Sequence, residues 1–377
     1  CVIENDTSDG SAIYLDGASF DMQKAASIKK LTGVMGIYAV NSEDVIINGE
    51  ITELNGSYAV NLNKTKAILG ADGNIHDNTC KTAIVYMRDG SELSVKGRIN
   101  NNTSNPNDNC AALFIVTNGD PSHATLEDGG EICYNINQGQ KYGAAIEVQQ
   151  GISSFTMNGG KIIGNKGPLG AIQVHKDNAS FVMNGGSISN NQNAGIVYNM
   201  KGNTQSFINI NGGVISENGT QIAIIGGAGC DDYERVKLNA GTARNPVTVD
   251  TAFGLITLDA GFATTCLGNA SDEAANEIAR LAAGYAAGGN KQLQAISNNA
   301  LYIKPAVGDY HFIMDMPDYA KDKGELYVGY IPLDTEGKPA DNAALAVRKL
   351  SYSSLLNITL ELDANQPYAV MLLAEQG

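Results

Sequence analysis

The chain has 377 residues, 43 of them Gly and none Trp, with 17% charged residues and a formal net charge of −15. Its length suffices for a sizeable core in two or three units. The acidity argues against nucleic acid, which needs clustered Lys and Arg, and against docking on anionic lipid. No apolar run approaches a membrane span, so direct membrane insertion is not expected.

Val2-Ile3-Glu4-Asn5 reads like the tail of a structural repeat (compare Val214-Ile215-Ser216-Glu217-Asn218), which predicts a fragment of a longer chain beginning mid-repeat. Short apolar stretches then recur: Ala12–Leu15, Gly36–Val40, Tyr58–Val60, Ala83–Tyr86, Ala112–Ile115, Ala145–Val148, Ala171–Val174, Gly195–Tyr198 and Ile222–Ile225. Their alternation is that of strands. Stacked in parallel, they place Ile84, Leu113, Ile146, Ile172 and Ile196 in an inward column. Val85, Phe114, Glu147, Gln173 and Val197 then face outward, one per rung.

Between these stretches lies a second pattern. Phe155–Asn165, Phe181–Asn191 and Ile208–Asn218 repeat one sentence, with Gly-Gly pairs 26 and 27 residues apart. Each has an alternating strand, a Gly-Gly break where positive φ carries no Cβ penalty, an Ile, and an Asn three residues later. The same Ile-to-Asn offset recurs at Ile75/Asn78, Ile99/Asn102, Ile132/Asn135, Ile162/Asn165, Ile188/Asn191 and Ile215/Asn218. Successive Asn lie 24, 33, 30, 26 and 27 residues apart, with weaker members around Ile28 and Ile47–Ile51. So loose a period suits a coil of short strands whose turns absorb extra residues. The fold class is all-β: a right-handed parallel β-helix of about nine rungs, with Asn78, Asn102, Asn135, Asn165, Asn191 and Asn218 as a structural ladder of amides.

The six Cys (Cys1, Cys80, Cys110, Cys133, Cys230, Cys266) show no metal-like spacing. Cys80 and Cys110 precede consecutive rungs, so a disulfide and two free buried thiols are both compatible with their positions. After Gly229 the repeat degrades. Cys230–Arg235 reads as a charged loop, and Val236, Leu238, Val247, Val249, Ile256 and Leu258 predict irregular closing rungs. A helix follows from the N-cap Ser271, with Asp272 and Glu273 in its first turn and Gly288-Gly289 at its end. It is expected to cap the β-helix domain, residues 1–303. Residues 304–377 carry five longer strand patterns (310–316, 326–331, 344–348, 356–362, 368–373) and predict a small β-sandwich, possible in immunoglobulin-like form.

Catalytic patterns are sparse. Candidate paired carboxylates for glycoside hydrolysis are Glu127, Asp128, Glu131, Glu147 and Asp231-Asp232, but Glu127 to Glu131 reads more simply as a solvated turn. A lyase on acidic sugars needs cations, and no Arg lies between Arg98 and Arg235. His76, His123, His175 and His311 lie far apart in sequence, and no His-Glu-x-x-His, Gly-x-Ser-x-Gly or calcium-loop spacing occurs. No catalytic residue, metal or cofactor is assigned.

The repeats at 155–165 and 181–191 resemble one found in large bacterial surface proteins that are pectate-lyase-like in fold and adhesin-like in description. Similar repeats occur beside the protease domain of immunoglobulin A1 protease-like proteins. The resemblance covers about residues 10–260 and implies the β-helix fold, a bacterial cell-surface or extracellular setting, and a glycan or host-protein partner. The expected function is a non-enzymatic stalk or ligand platform, with Phe114, Glu147 and Gln173 as the binding column. A polysaccharide hydrolase or lyase is the alternative, and the non-catalytic region of a surface protease a second one.

Overall fold

The computed structural model describes residues 1–377 except 5, 6, 8, 9, 106, 107, 109, 110, 150, 176, 177, 200–204, 226–235, 239–246, 252, 259–264, 288–290, 306, 307, 309, 353, 354 and 377. Residues 1–208 with 213–226 form one compact unit, and 209–212 with 227–377 another. Asp231-Asp232, Cys110 and Cys230 therefore lie outside the described residues.

The first unit is a parallel β-solenoid of about eight turns. Each turn runs through three strands that pair with their equivalents one turn away. The first sheet contains nine strands: Gly10–Asp16, Val34–Val40, Val60–Asn63, Ala83–Arg88, Ala111–Val116, Ile146–Val148, Ile172–Val174, Ala194–Asn199 and Thr220–Ile225. The second includes Lys66–Leu69, Glu92–Val95, Ser122–Leu126, Ser153–Met157 and Ser180–Met183, and the third includes Asn74–His76, Arg98–Asn100, Glu131–Cys133, Lys161–Ile163 and Ser187–Ser189.

Parallel register stacks like on like. Ile75, Ile99, Ile132, Ile162, Ile188 and Ile215 form one column in the third sheet. Phe155 and Phe181 stack in the second with centroids 5.6 Å apart. All of these side chains are buried, and each contributes about 1.5–3 kcal/mol of burial energy. The Gly-Gly turns connect second to third sheet. Gly160 has φ +72°, and a Cβ there would sit 2.4 Å from the Gly130 carbonyl of the turn before, so neither the angle nor the space admits another residue.

Leaving the third sheet, each turn passes through a left-handed residue and then a buried one. The left-handed positions are Lys30, Glu53, Asp77, Asn101, Tyr134, Gly164, Asn190 and Glu217. The buried residues that follow are Leu31, Leu54 and then the six Asn. From Asn78 onward these amides make a continuous column. Asn165, for example, donates from Nδ2 to the Ile132 carbonyl (3.0 Å) and to Asn191 Oδ1 (3.0 Å), and its Oδ1 accepts from the backbone N–H and Nδ2 of Asn135. Asn78, Asn102, Asn135 and Asn191 repeat the pattern. Asn218 Nδ2 donates to Gln221 Oε1 at 2.9 Å, which satisfies the last amide.

The first sheet's register differs from the expected one at a single rung. Ala83 pairs with Ala111 rather than Ala112, so Val85, not Ile84, stacks on Leu113, and Tyr86, not Val85, on Phe114. Ile84 and Val85 are both buried, so apolarity alone does not choose between them.

In the second unit the pairings are antiparallel. Val247–Thr251 pairs with Gly254–Leu258 as an antiparallel hairpin. Gly254–Leu258 continues to Tyr310–Asp315, and that strand to Leu355–Leu360. Tyr368–Glu375 pairs with Leu301–Pro305, Leu326–Pro332 and Lys291–Ala295, and Ala346–Lys349 joins Leu326–Pro332. Gly254–Leu258, Lys291–Ala295 and Leu301–Pro305 thus share antiparallel sheets with the C-terminal strands. Helix α1, Asp272–Ala283, begins where Ser271 Oγ accepts the Ala274 N–H and ends at Gly284, four residues before the expected Gly288. It buries Ala274, Ile278 and Ala282 against Leu293, Tyr302 and Leu373. Among the described residues, no helix is long and apolar enough to cross a membrane.

Candidate functional site

The outward column of the first sheet runs Tyr14, Tyr38, Asn61, Tyr86, Phe114, Glu147, Gln173, Val197. Its first half is the more open, with Asn61 buried between partly exposed rings. Tyr14 is 57% exposed and meets Tyr38 edge-on at 5.5 Å between centroids. Tyr58, which precedes Val60, lies 5.0 Å from Tyr86, and Tyr86 lies 5.5 Å from Phe114. Tyr38, Tyr58 and Tyr86 are half-buried. The rings are brought together by rung spacing, since strands about 4.8 Å apart bring equivalent side chains into contact. Arg88, two residues past Tyr86, reaches back across two rungs and donates from Nη2 to Tyr38 Oη at 3.3 Å. Its Nε and the Oδ1 atoms of Asn61 and Asn63 find no hydrogen-bond partner among the described residues.

The second half is closed, which corrects the sequence expectation. Phe114, Glu147 and Gln173 point away from the core as expected, yet they are 4%, 0% and 2% exposed. The segment 137–143 lies over them. Tyr142 packs edge-on against Phe114 at 5.1 Å, and the Gly143 N–H donates to Glu147 Oε2 at 3.1 Å. Asn137 folds this segment on itself, donating to the carbonyls of Lys141 and Tyr142 and accepting from the Gly139 N–H. Burial pushes the Glu147 carboxyl up to about 8, although the Gly143 N–H pulls it back in part. It is therefore neutral over most of the physiological range.

A groove of about 270 Å³ lies on the outer face of the second sheet, lined by Lys66, Ile68, Glu92, Ser94, His123 and Thr125 among others. Register places Glu92, His123 and Ser154 on successive rungs, and His123 Nδ1 lies 2.6 Å from Ser154 Oγ. Burial holds His123 below its ordinary value, against the pull of Glu92 and Glu127. A neutral imidazole beside a hydroxyl is the start of a general-base arrangement. Among the described residues, neither Glu92 nor another side chain hydrogen-bonds the ring as a third, orienting group.

The other candidate carboxylates are scattered. Glu127 accepts from Asn158 Nδ2, and Glu131 pairs with Arg98 at 3.2 Å. His76 bridges Glu50 and Asp77 on the third sheet, and His311 lies in the second unit. Cys80 and Cys133 are free, buried thiols that burial pushes up to about 12 and about 11, which makes them inert at neutral pH.

Sequence reasoning missed the tyrosines and Arg88. The signal was available: Tyr14, Tyr38 and Tyr86 occupy the same place in three stretches, and only the one-residue slip at Ala83 concealed the third.

No protein-family model and no curated protein matches the chain. Among solved structures it is similar to the enzymatically active domain of tailspike protein 4 from bacteriophage CBA120, with 11% identity over 97% of this chain and 54% of that one, at a TM-score of 0.24. It is also similar to the tailspike gp49 of Acinetobacter baumannii bacteriophage Fri1, a capsular polysaccharide depolymerase, with 9% identity over 98% and 69% and a TM-score of 0.19. The chain thus spans about half the length (54%) of the first. Superpositions that loose decide neither fold nor function.

Proposed function

We propose that the chain is a non-enzymatic, adhesin-like segment of a bacterial cell-surface or secreted protein. In this reading a right-handed β-helix, with α1 as its cap and a small β-sandwich beyond, presents a glycan along the outer face of its first sheet. The observation that carries the reading is two pairs of partly exposed rings on one face, Tyr14 with Tyr38 at 5.5 Å and Tyr58 with Tyr86 at 5.0 Å between centroids, beside Arg88 and Asn63. Flat rings with a polar tip suit the apolar faces and hydroxyls of successive sugars, and fixed amide and guanidinium groups add orientation. The rigid sheet holds them without ordering cost on binding.

A glycan array on the isolated protein tests this. Binding is expected, and Tyr38→Ala with Tyr86→Ala is expected to weaken it at least tenfold while leaving the circular dichroism unchanged. An array without hits, or hits indifferent to both changes, would refute the reading. One observation favours an alternative, a polysaccharide-active enzyme: the His123–Ser154 contact beside the second-sheet groove. Turnover of a bound glycan, lost in His123→Ala, would select it.

A further inference from the structure

The open and closed halves belong to one register column, and what separates them is a segment of chain. We propose that residues 137–143 are a strap occupying a further subsite of the same face, one that takes the hydroxyls of a neutral sugar on Phe114, Glu147 and Gln173. The inference rests on the glycan-platform reading.

Three observations carry it. First, Tyr142 continues the ring file, its edge on Phe114 at 5.1 Å, where the next ring-stacked group of a bound chain would lie. Second, Glu147 Oε1 and Gln173 Oε1 are buried on adjacent rungs, and neither has a hydrogen-bond partner among the described residues. A buried carboxyl and amide left half-satisfied are costly unless another group completes them. With the strap displaced, sugar hydroxyls, which both donate and accept, complete both side chains and replace the Gly143 N–H. Third, the strap is fitted by its backbone: a Cβ on Gly143 would lie 2.5 Å from the Ile146 carbonyl and 2.9 Å from that of Ala171.

The chemistry points to a neutral sugar. The titratable groups on the elements packed around Glu147 are Lys141 and Tyr142 of the strap and His175 past Val174, and none of them contributes to its shift. Burial and the Gly143 N–H act on the Glu147 carboxyl, and once ionised that carboxyl would repel a uronate. Closure is also coupled to pH. The carboxyl's closed-state value, about 8, exceeds its ordinary 4.5, so the closed form's advantage is whole below about 4.5 and is lost as pH rises toward 8.

Two variants test the proposal. Gly143→Ala forces the strap off while leaving Phe114, Glu147 and Gln173 in place. Glu147→Gln keeps the bond to Gly143 and removes the titration. The probes are neutral glucose and N-acetylglucosamine hexasaccharides, α- and β-linked, measured by calorimetry at pH 7. Gly143→Ala is expected to bind at least tenfold more tightly than the parent. Hydrogen exchange of the strap amides, corrected for intrinsic rates, is expected to accelerate by about tenfold per pH unit between pH 4.5 and 8 in the parent and to stay flat in Glu147→Gln. If the parent binds a probe through Tyr86 and Gly143→Ala gains nothing, the subsite is refuted and the platform reading stands. If no form binds any probe, both fall. Strap exchange with the same pH dependence in Glu147→Gln also overturns the proposal.

Discussion

Along one register column the first sheet changes character between Tyr86 and Glu147. Upstream, Tyr14 is 57% exposed; downstream, Glu147 is fully buried, although both side chains leave the sheet on the same face. The difference lies in turn length. Asn78 to Asn102 spans 24 residues, and there the chain returns directly to the next strand. Asn135 to Asn165 spans 30 residues, and the added length lies across the face as the segment 137–143. In a solenoid, then, insertions decide exposure while the repeat decides direction.

The contrast can be broken first at Phe114. Its replacement by Ala removes a ring that holds Tyr86 and Tyr142, at an expected cost of about 3–5 kcal/mol in urea unfolding. Asn165→Ala comes next. It removes the bonds to the Ile132 carbonyl, from the Asn135 backbone N–H and from Asn135 Nδ2, an expected cost of about 2–4 kcal/mol, since one deletion breaks several buried bonds. Its effect on the glycan face is expected to be nil, and a changed affinity would tie ladder and face together. Tyr14→Ala, on the open half, is expected to cost no more than about 0.5 kcal/mol, as for other exposed positions. A large loss there would erase the distinction between halves.

The smallest effect is electrostatic. Burial lowers the His76 value, but the hydrogen bonds to Asp77 and Glu50 outweigh it, and the net direction is upward from 6.5. The stability its charge confers is present below 6.5 and lost as pH rises through the higher folded value. An NMR titration of His76 with a midpoint above 6.5, abolished by Glu50→Gln with Asp77→Asn, is expected.

The third sheet and its amide column were legible because Ile and Asn sit at a fixed offset within a loose period. That combination leaves one register that buries every Ile. At Ala83-Ile84-Val85-Tyr86 two successive apolar residues fit the core, so the pattern permitted a slip that only backbone pairing resolves. The binding column was legible in direction alone. Phe114, Glu147 and Gln173 were placed on the outer face, but the closure by Tyr142 and Gly143 is a tertiary contact with no local signature. Val247 to Leu258 show the same limit: alternation marks strands, and it reads the same whether neighbours run parallel or antiparallel.

The eight left-handed corners have a practical use. Apart from Gly164, each holds a solvent-facing side chain, Lys30, Glu53, Asp77, Asn101, Tyr134, Asn190 or Glu217, immediately before a buried anchor. Because the anchors fix the backbone, side chains that tolerate the left-handed region, Asn and Asp above all, can be exchanged at these corners without disturbing the interior. The molecule thus offers an edge on which charges, dyes or crosslinkers are set out one per coil, like graduations on a ruler.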